Sequence, residues 1–543
     1  MKRRLAIPVL ALILGLTALS QAPAGARAVL AAPPATTRCG LSWSIVPTGF
    51  RSGSFPGASL HDVDAASATE AFAVGWKDPD TSLVLRWNGT AWRRETLPPI
   101  KGRHQLKGVV ALGGGEAWAV GWSNRSSTFK TLVLHRSNGA WARVPSPSPN
   151  ATYNVLEAVD GASANDLWAV GSDGDAVLTV HWDGVAWTKV PFPSPGTQDR
   201  AADVEAVSSD NVWIVGHTDP GSDVSLRGHW DGTAWSGAAV SSYGALDGID
   251  AASASDIWAV GDDSTANGNS GLIHHFNGTR WKQVSGAAPG VYGDWYREVV
   301  ASQEVGIWAV GGYSAFGSYL DAQLWNGSTW TSIPLPYTGT SDQELASIDA
   351  GGGHLWATGT NRSKTSSIML ELCPLRLTGA GLSTIASTSA LGRTAVFLVP
   401  GSETASHSIA DDGPLGLFDV GPIAPGGFGT HRFAVAGGYA VRDATTDAAG
   451  TIGVAPLANP SVGASGDRFT VTWAKGPVDG GLVFDVQVLR PGAASFRAWR
   501  TGVEGTSARF LPDGGTGWYL FRARARSVAG ELWWSPTVAI RVT

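Results

Sequence analysis

The stretch Trp118-Ala119-Val120-Gly121, WAVG, decides the fold, because close variants of it recur along the chain. They begin at Phe72, Trp118, Trp168, Trp213, Trp258, Trp308 and Trp356, with spacings of 46, 50, 45, 45, 50 and 48 residues. A period between 20 and 50 residues is typical of stacked repeats, in which each unit buries its faces against its neighbours. The sequence therefore predicts seven copies of one structural unit.

Each repeat has the pattern of four short antiparallel strands. An alternating segment such as LHDVDAAS precedes the tetrapeptide, and an apolar run such as LVLRW follows it. An Asn-Gly or Asp-Gly pair then leads to a fourth strand that opens on a tryptophan, as at Asn88-Gly89 and Trp92. These pairs favour the positive φ angles of a type I′ hairpin. Four-stranded units of this length predict an all-β protein with a seven-bladed β-propeller over residues 38–375, and an open solenoid of strands is the alternative.

The two ends of the repeat region are predicted to join. The seventh unit stops after its third strand at Cys373, whereas residues 39–43, CGLSW, match residues 88–92, NGTAW, position for position. The N-terminal segment can therefore supply the outer strand of blade seven. Cys39 and Cys373 are the only cysteines, and we expect them to form a disulfide in an exported protein, with two unpaired thiols as the alternative.

The N-terminus predicts export. Lys2, Arg3 and Arg4 precede an apolar run from Leu5 to Leu19 and then small residues, as in a signal peptide over residues 1–32. A membrane anchor is the alternative, but the run is short for a span, and no second span is predicted. We expect a secreted, extracellular protein. With a net charge of −6 and a pI near 6.0, nucleic acid is not an expected partner.

Aromatic residues outside the repeat template indicate a binding surface. The loops between second and third strands share one end of the propeller with the connections between blades, and we call this end the connection face. The opposite end, with the Asn/Asp-Gly turns, is the turn face. The predicted ligand-binding residues of the connection face are Trp76, Trp122, Tyr292, Trp295, Tyr296 and Tyr313. Flat rings with few charges suit sugar rings or a partner protein, although they could simply cover blade edges.

The inner strands carry polar residues near their starts. The repeat alignment places His61, Lys107, Glu157, Glu205, Asp247, Arg297 and Ala346 at equivalent positions. Their mixed signs favour solvated groups over a site for one ion. No nucleophile, zinc or nucleotide motif occurs, so we expect no cofactor and no metal. Glu157 and Glu205 are the candidate carboxylate pair if the protein is instead a glycoside hydrolase or lyase.

Three regions resemble known families. The W-[DN]-G-x-x-W turns resemble Asp-box and kelch-type propeller repeats. Residues 376–456 resemble a cupredoxin sandwich in which His407 matches a copper ligand but Asp443 stands where the family has cysteine, so the resemblance implies a domain without copper. Residues 457–543 resemble a fibronectin type III module, with Trp473 and a corner tyrosine at Tyr519. Both β-sandwich domains would act as spacers.

Together these features predict an extracellular binding protein. The propeller face would bind a polysaccharide or an extracellular protein, and the alternative is a secreted carbohydrate-active enzyme with its site on the propeller. The sequence leaves the oligomeric state open.

Overall fold

The structure is a computed structural model that describes residues 39–48, 57–77, 79–218, 224–263, 270–290, 293–315, 317–336, 342–361, 366–384, 386–476, 478 and 481–543. The predicted signal peptide, residues 1–32, lies outside the described residues. Within these ranges the chain forms strands and turns but no helix, so the expected all-β class is confirmed. No helix long and apolar enough to cross a bilayer occurs in this part of the chain.

Seven four-stranded antiparallel sheets occupy the described residues from Ser44 to Leu372, and we number them as blades in chain order. The chain begins with β1 (Ser44–Ile45), which belongs to the last blade. From inner to outer strand, blades one to three are β2 (Ala58–Ser67), β3 (Glu70–Lys77), β4 (Thr81–Trp87) and β5 (Trp92–Arg94); β6 (Arg103–Gly113), β7 (Glu116–Arg125), β8 (Thr128–Ser137) and β9 (Ala140–Val144); and β10 (Asn154–Ser163), β11 (Asp166–Asp173), β12 (Ala176–Trp182) and β13 (Trp187–Val190).

The remaining blades have the same order. Blades four to six are β14 (Arg200–Ser208), β15 (Asn211–Thr218), β16 (Val224–Trp230) and β17 (Trp235–Tyr243); β18 (Ala245–Ser253), β19 (Asp256–Asp263), β20 (Ser270–Phe276) and β21 (Trp281–Gln283); and β22 (Gly293–Ser302), β23 (Gly306–Ser314), β24 (Ser318–Trp325) and β25 (Trp330–Ser332). Blade seven is β26 (Gln343–Gly351), β27 (His354–Asn361), β28 (Ser366–Leu372) and the N-terminal β1.

The sheets close into a ring at blade seven. β1 pairs antiparallel with β28, and the inner strand β2 of blade one contacts the inner strand β26 of blade seven. Trp356 and Met369 of blade seven share a buried cluster with Leu60 of blade one. Cys39 and Cys373 form the expected disulfide, with Cα atoms 5.5 Å apart and a sequence separation of 334. The N-terminal segment therefore completes the last sheet, and the prediction of propeller-like blades is confirmed.

Carboxylates of the inner strands join neighbouring blades. Asp349 of blade seven accepts a hydrogen bond from the backbone N–H of Ala65 in blade one at 2.6 Å. Asp250 of blade five accepts one from Ala301 in blade six, also at 2.6 Å. Asp62, Asp160 and Asp203 make the same kind of bond to the following blade. These acidic residues thus satisfy backbone donors that a ring of separate sheets would otherwise leave unpaired.

The glycine of the recurring tetrapeptide allows two strands to approach closely. Each inner strand has an irregular register opposite this glycine, as between Leu60 and Asp62 in blade one. A Cβ on Gly75 would lie 2.0 Å from the carbonyl oxygen of Ser59, and the equivalent contact at Gly261 is also 2.0 Å. Any other side chain would collide with the inner strand, which explains why the tetrapeptide ends in glycine.

Among the six blades that have an Asn/Asp-Gly turn, five differ from the predicted type I′ hairpin. Only blade two has a two-residue loop, in which Asn138 has φ 50° and Ser137 pairs with Ala140. In blade one, Trp87 pairs with Trp92 across a four-residue loop. There the Asn88 side chain accepts hydrogen bonds from the N–H groups of Thr90 and Ala91, which replaces the positive φ at the asparagine.

Four further sheets follow the propeller. The first two comprise β29 (Leu375–Thr378), β30 (Gly381–Leu382), β31 (Ala386–Ala390), β32 (Thr394–Leu398), β33 (His407–Asp411), β34 (Asp419–Ile423), β35 (Phe428–Arg432), β36 (Gly437–Asp443) and β37 (Ala449–Ala455). The last two comprise β38 (Leu457–Asn459), β39 (Val462–Gly463), β40 (Phe469–Thr472), β41 (Val483–Leu489), β42 (Arg497–Val503), β43 (Ser507–Phe510), β44 (Gly517–Ser527), β45 (Gly530–Glu531) and β46 (Val538–Val542).

These C-terminal sheets pack against one another and against the propeller. One buried cluster includes Phe397 and Tyr439 of the first pair and Trp473 of the second. Leu398 shares another buried cluster with Trp308 of blade six, and Arg376 pairs with Glu304 in the turn between β22 and β23 at 2.7 Å. The contacts with blade six lie on the turn face, so the C-terminal sheets do not extend from the propeller as separate spacers.

Candidate functional site on the connection face

Strand register places the predicted tryptophans at one cross-strand position near the connection face. Trp76 lies opposite Ser59, and Trp122 lies opposite Gln105, near the starts of their inner strands. Trp295 lies on the inner strand itself, opposite Gly312. Its ring fills the space above that glycine, since a Cβ there would lie 2.7 Å from the Trp295 ring. Blades one, two and six therefore each place an indole at the same level.

Two of the predicted ligand-binding residues are buried. Tyr296 is 1% exposed, and its hydroxyl donates to the carbonyl of Ala287 at 3.3 Å. Trp122 is 9% exposed and packs against Phe129, with ring centroids 5.0 Å apart. The expectation that these two rings form an exposed surface is wrong, because both fill gaps between strands in the blade core.

The other predicted aromatic residues remain candidates. Trp76, Trp295 and Tyr313 are half-buried. Tyr313 stacks on Tyr319 with centroids 5.5 Å apart, which gives blade six a flat aromatic edge. Tyr292 lies outside the described residues. The binding role of these residues stays a prediction.

The mouth of the propeller channel carries charges of both signs. Arg297 pairs with Asp247 at 2.6 Å and with Asp262 at 3.1 Å. Burial and the nearby Lys107 lower the pKa of His61 to about 3, so His61 is neutral at physiological pH. The mouth is therefore polar and nearly balanced in charge, which suits a ligand rich in hydroxyl or amide groups better than a single ion.

Glu157 and Glu205 are not at equivalent positions. Ala202 occupies the register irregularity of blade four, as Glu157 does in blade three, and Glu205 lies three residues further along its strand. Burial raises the pKa of Glu157, which faces Lys107 and Arg200. Burial and Asp250 raise the pKa of Glu205 well above its usual range. Glu205 thus belongs to the deeper carboxylates that join the blades, whereas Glu157 lies at the mouth.

Three grooves between neighbouring blades open near the connection face, among the cavities of the described residues. The groove between blades one and two has a volume of about 480 Å³, and those between blades five and six and between six and seven have about 440 and 340 Å³. These volumes fit small ligands or single sugar units, since ligand pockets usually measure about 300–1,000 Å³. Sequence reasoning missed these grooves, because each is assembled from two repeats and the connection between them.

Residues 376–456, for which the sequence predicts a cupredoxin-like domain, do not offer a blue-copper site. His407 and Asp443 are both buried, and the His407 Nδ1 and Asp443 Oδ2 atoms lie 2.8 Å apart. Asp443 also accepts a hydrogen bond from the Thr446 hydroxyl. A blue-copper centre needs a cysteine thiolate and two histidines, so the residues present do not fit that metal. One further cluster of potential ligands occurs in the described chain, at Cys39, Cys373 and His354, but its sulfur atoms are bonded to each other.

No protein-family model and no curated protein matches this chain. Among solved structures, YCF48 from Cyanidioschyzon merolae is 16% identical with a TM-score of 0.42, and the match covers 61% of this chain and 98% of that one. The structure of YCF48 bound to D1 peptide is 14% identical with the same TM-score, and the match covers 61% and 96%. A six-bladed lectin from Aleuria aurantia is 14% identical with a TM-score of 0.35, and the match covers 53% and 98%. The propeller fold of this chain therefore rests on its own sheet topology.

Proposed function

We propose that this chain is an extracellular binding protein that holds a polysaccharide on the connection face of its propeller. The observation that carries the proposal is the arrangement of the two faces. The C-terminal sheets contact the turn face at blade six, for example through Arg376 and Glu304, whereas the inter-blade grooves and the half-buried Trp76 and Trp295 lie at the opposite end. A glycan could therefore reach these grooves without moving the C-terminal sheets.

The chemistry of the connection face supports a sugar ligand. Sugar rings combine apolar faces with many hydroxyl groups, so their sites pair aromatic or aliphatic walls with a few polar groups. The groove between blades six and seven has this composition, with Tyr313 and Tyr319 beside Gln343 and Ser332. The charged N-terminal stretch and the single disulfide support export.

The assignment of the C-terminal regions to degenerate cupredoxin-like and fibronectin type III-like domains is also our proposal. The first is supported by the buried His407–Asp443 pair, which stands where the family has copper ligands. The second is supported by Tyr519, whose hydroxyl accepts from the N–H of Gly514 at 2.7 Å and donates to the carbonyl of Gly515 at 2.9 Å. A hydroxyl that bonds backbone a few residues upstream is the feature of a tyrosine corner.

The test is retention of the purified chain on a panel of neutral and acidic polysaccharides. Trp76→Ala and Trp295→Ala should each weaken retention about tenfold or more, because each removes a ring from the connection face. Trp533→Ala is the matched control, since Trp533 is 59% exposed and lies in the C-terminal region, between β45 and β46. Unchanged retention in both connection-face variants, with melting temperatures equal to that of the wild type, would refute the proposal.

The same incubation distinguishes binding from catalysis. The supernatant is assayed for new reducing ends, and we expect none above background. Release of reducing ends that disappears in Glu157→Gln would show a carbohydrate-active enzyme instead. Glu205→Gln serves as the comparison, because Glu205 lies in the deeper carboxylate layer.

A further inference from the structure

One position of the propeller core carries a charge in blade four and is uncharged in the other blades. Arg227 in β16 pairs with Val215, the third residue of the blade-four tetrapeptide. The residues that pair with the same tetrapeptide position in the other six blades are all buried: Val84, Val133, Thr179, Ile273, Ala322 and Met369. Met369 shares a buried cluster with Leu60 of blade one, so this position packs against the following blade. Blade four therefore directs an arginine towards blade five.

Arg227 has no counter-ion among the described residues. Its Nη1 atom is buried and has no hydrogen-bond partner in that part of the chain. The guanidinium lies 4.7 Å from the ring centroid of Trp281, which opens β21 in blade five. The ring attracts the cation but offers no oxygen atom to accept from its N–H groups. Burial lowers the pKa of Arg227 to about 10, so the group remains protonated at neutral pH. One positive charge is thus left without an acceptor.

His274 of β20 faces Arg227 from blade five. Leu272, two residues earlier on the same strand, shares a buried cluster with Val215, so this side of β20 packs against blade four. His274 is 4% exposed, and its Nδ1 atom is buried without a hydrogen-bond partner in the described ranges. Burial and the nearby Arg227 lower the pKa of His274 to about 4, so the ring is neutral and carries one N–H. With its proton on Nδ1, His274 adds a second donor without a protein acceptor.

The outer side of this junction is more open than the corresponding side of the other junctions. Trp281 is half-buried, whereas the corresponding tryptophans of the other six blades are buried: Trp43, Trp92, Trp141, Trp187, Trp235 and Trp330. Ala238 of β17 lies directly opposite Arg227 and is exposed. Blades two, three, five and six have a larger side chain at that position, namely Val144, Val190, Val284 and Ile333. The half-buried Arg227 is therefore accessible to a ligand from the side of the propeller.

We propose that the junction between blades four and five binds a carboxylate group. Arg227 supplies the charge and donates from Nη1, and His274 donates from Nδ1. Hydrogen bonds between a guanidinium and a carboxylate are assisted by both charges and are among the strongest in proteins. A single carboxylate balances the one positive charge, whereas a dianion such as sulfate would leave a second charge partly buried and unpaired. The site goes beyond the proposed function, which concerns the grooves of the connection face.

The experiment compares melting temperatures in sodium chloride, sodium acetate and sodium galacturonate at equal ionic strength. Each carboxylate should raise the melting temperature of the wild type by about 1–2 °C at a tenfold excess over its Kd, because it binds the folded chain alone. Arg227→Met should abolish this shift. It should also melt higher than the wild type in chloride, because methionine is the native residue of blade seven and the unpaired buried charge is gone. Arg280→Met is the matched control, since it removes the same charge from the exposed residue before Trp281.

The outcomes separate a carboxylate site from a packing role of Arg227. Equal shifts in the wild type and in Arg227→Met would overturn the inference, as would a wild type that melts at the same temperature in chloride and in carboxylate. A larger shift in sodium sulfate at the same ionic strength would also overturn it. A larger shift with galacturonate than with acetate would support a carboxylate carried on a sugar, and equal shifts would support a free carboxylate. The retention test with Trp76→Ala and Trp295→Ala is independent of all these results.

Discussion

Replacing Asp349 tests how the blades are joined. Asp349 lies at the seam between blades seven and one, where it accepts the N–H of Ala65. Burial, with smaller effects of Asp250 and Asp62, raises its pKa from 3.8 to about 7. Relative to the unfolded chain, this pKa shift means that the folded protein favours the protonated carboxyl over the ionised one by about 4 kcal/mol of free energy. Because Asp349 keeps part of its surface exposed, we expect roughly half of this free-energy difference, about 2 kcal/mol, to appear in the measured stability.

The sign of the pH dependence follows from proton binding. A carboxyl with a raised folded pKa binds more protons in the folded than in the unfolded state between pH 4 and 7. Its stabilising contribution is therefore complete below pH 4 and is lost as the pH rises towards 7. Asp349→Asn keeps an acceptor oxygen for Ala65 without the charge, so its stability relative to the wild type should increase with pH across this range. Asp349→Ala leaves the Ala65 N–H unpaired and should be less stable than Asp349→Asn at pH 8, by about 1–3 kcal/mol.

The assay is thermal unfolding of the three proteins at several pH values, followed by circular dichroism. At each pH the stability of each variant is compared with that of the wild type. This comparison is needed because the buried histidines change the stability of all three proteins with pH in the opposite direction. Burial lowers the pKa of His61 to about 3 and that of His274 to about 4, so their contributions are lost as the pH falls below 6.5. A constant difference between Asp349→Asn and the wild type from pH 4 to 8 would refute the reasoning.

Three further predictions concern stability. Cys39→Ser should lower the free energy of unfolding by up to about 5 kcal/mol, and with it the urea midpoint, because it opens a loop with a separation of 334 residues; an unchanged midpoint would contradict a role for the disulfide in closure. Gly261→Ala should cost about 3 kcal/mol or more, since its Cβ would lie 2.0 Å from a backbone oxygen, whereas Gly466→Ala, with nothing within 4 Å, should unfold at the wild-type temperature. Asp443→Ala should cost about 2–3 kcal/mol, because it removes the partner of the buried His407; a melting temperature equal to that of the wild type would show that the pair is not structural.

Most of the propeller could be predicted from the sequence, because its repeats are local patterns. The alternation of each inner strand, the tetrapeptide and the Asn/Asp-Gly turns lie within one unit, and the closing strand repeats the same turn motif at Cys39. The disulfide followed from the only two cysteines. These features can be predicted without knowing which blades are neighbours in the ring.

The candidate site was harder to predict, because it depends on register and on contacts between repeats. Counted from the tetrapeptide glycine, the counterpart of Glu157 is Ala202, and Glu205 lies three residues further along its strand. Tyr296 looked like a surface residue in the sequence, but Gly271 leaves room for its ring between blades five and six. The groove between blades one and two was missed because its lining residues Lys77, Arg94 and His104 come from three different strands of two blades.

Hydrogen exchange of the chain with and without a bound polysaccharide tests the connection face most directly. Bound ligand should slow exchange in the segments around Lys77 and between Arg94 and His104, while the turn at Asn138-Gly139 on the opposite face exchanges at its free rate. Protection of that turn, with no change in the groove segments, would contradict the account.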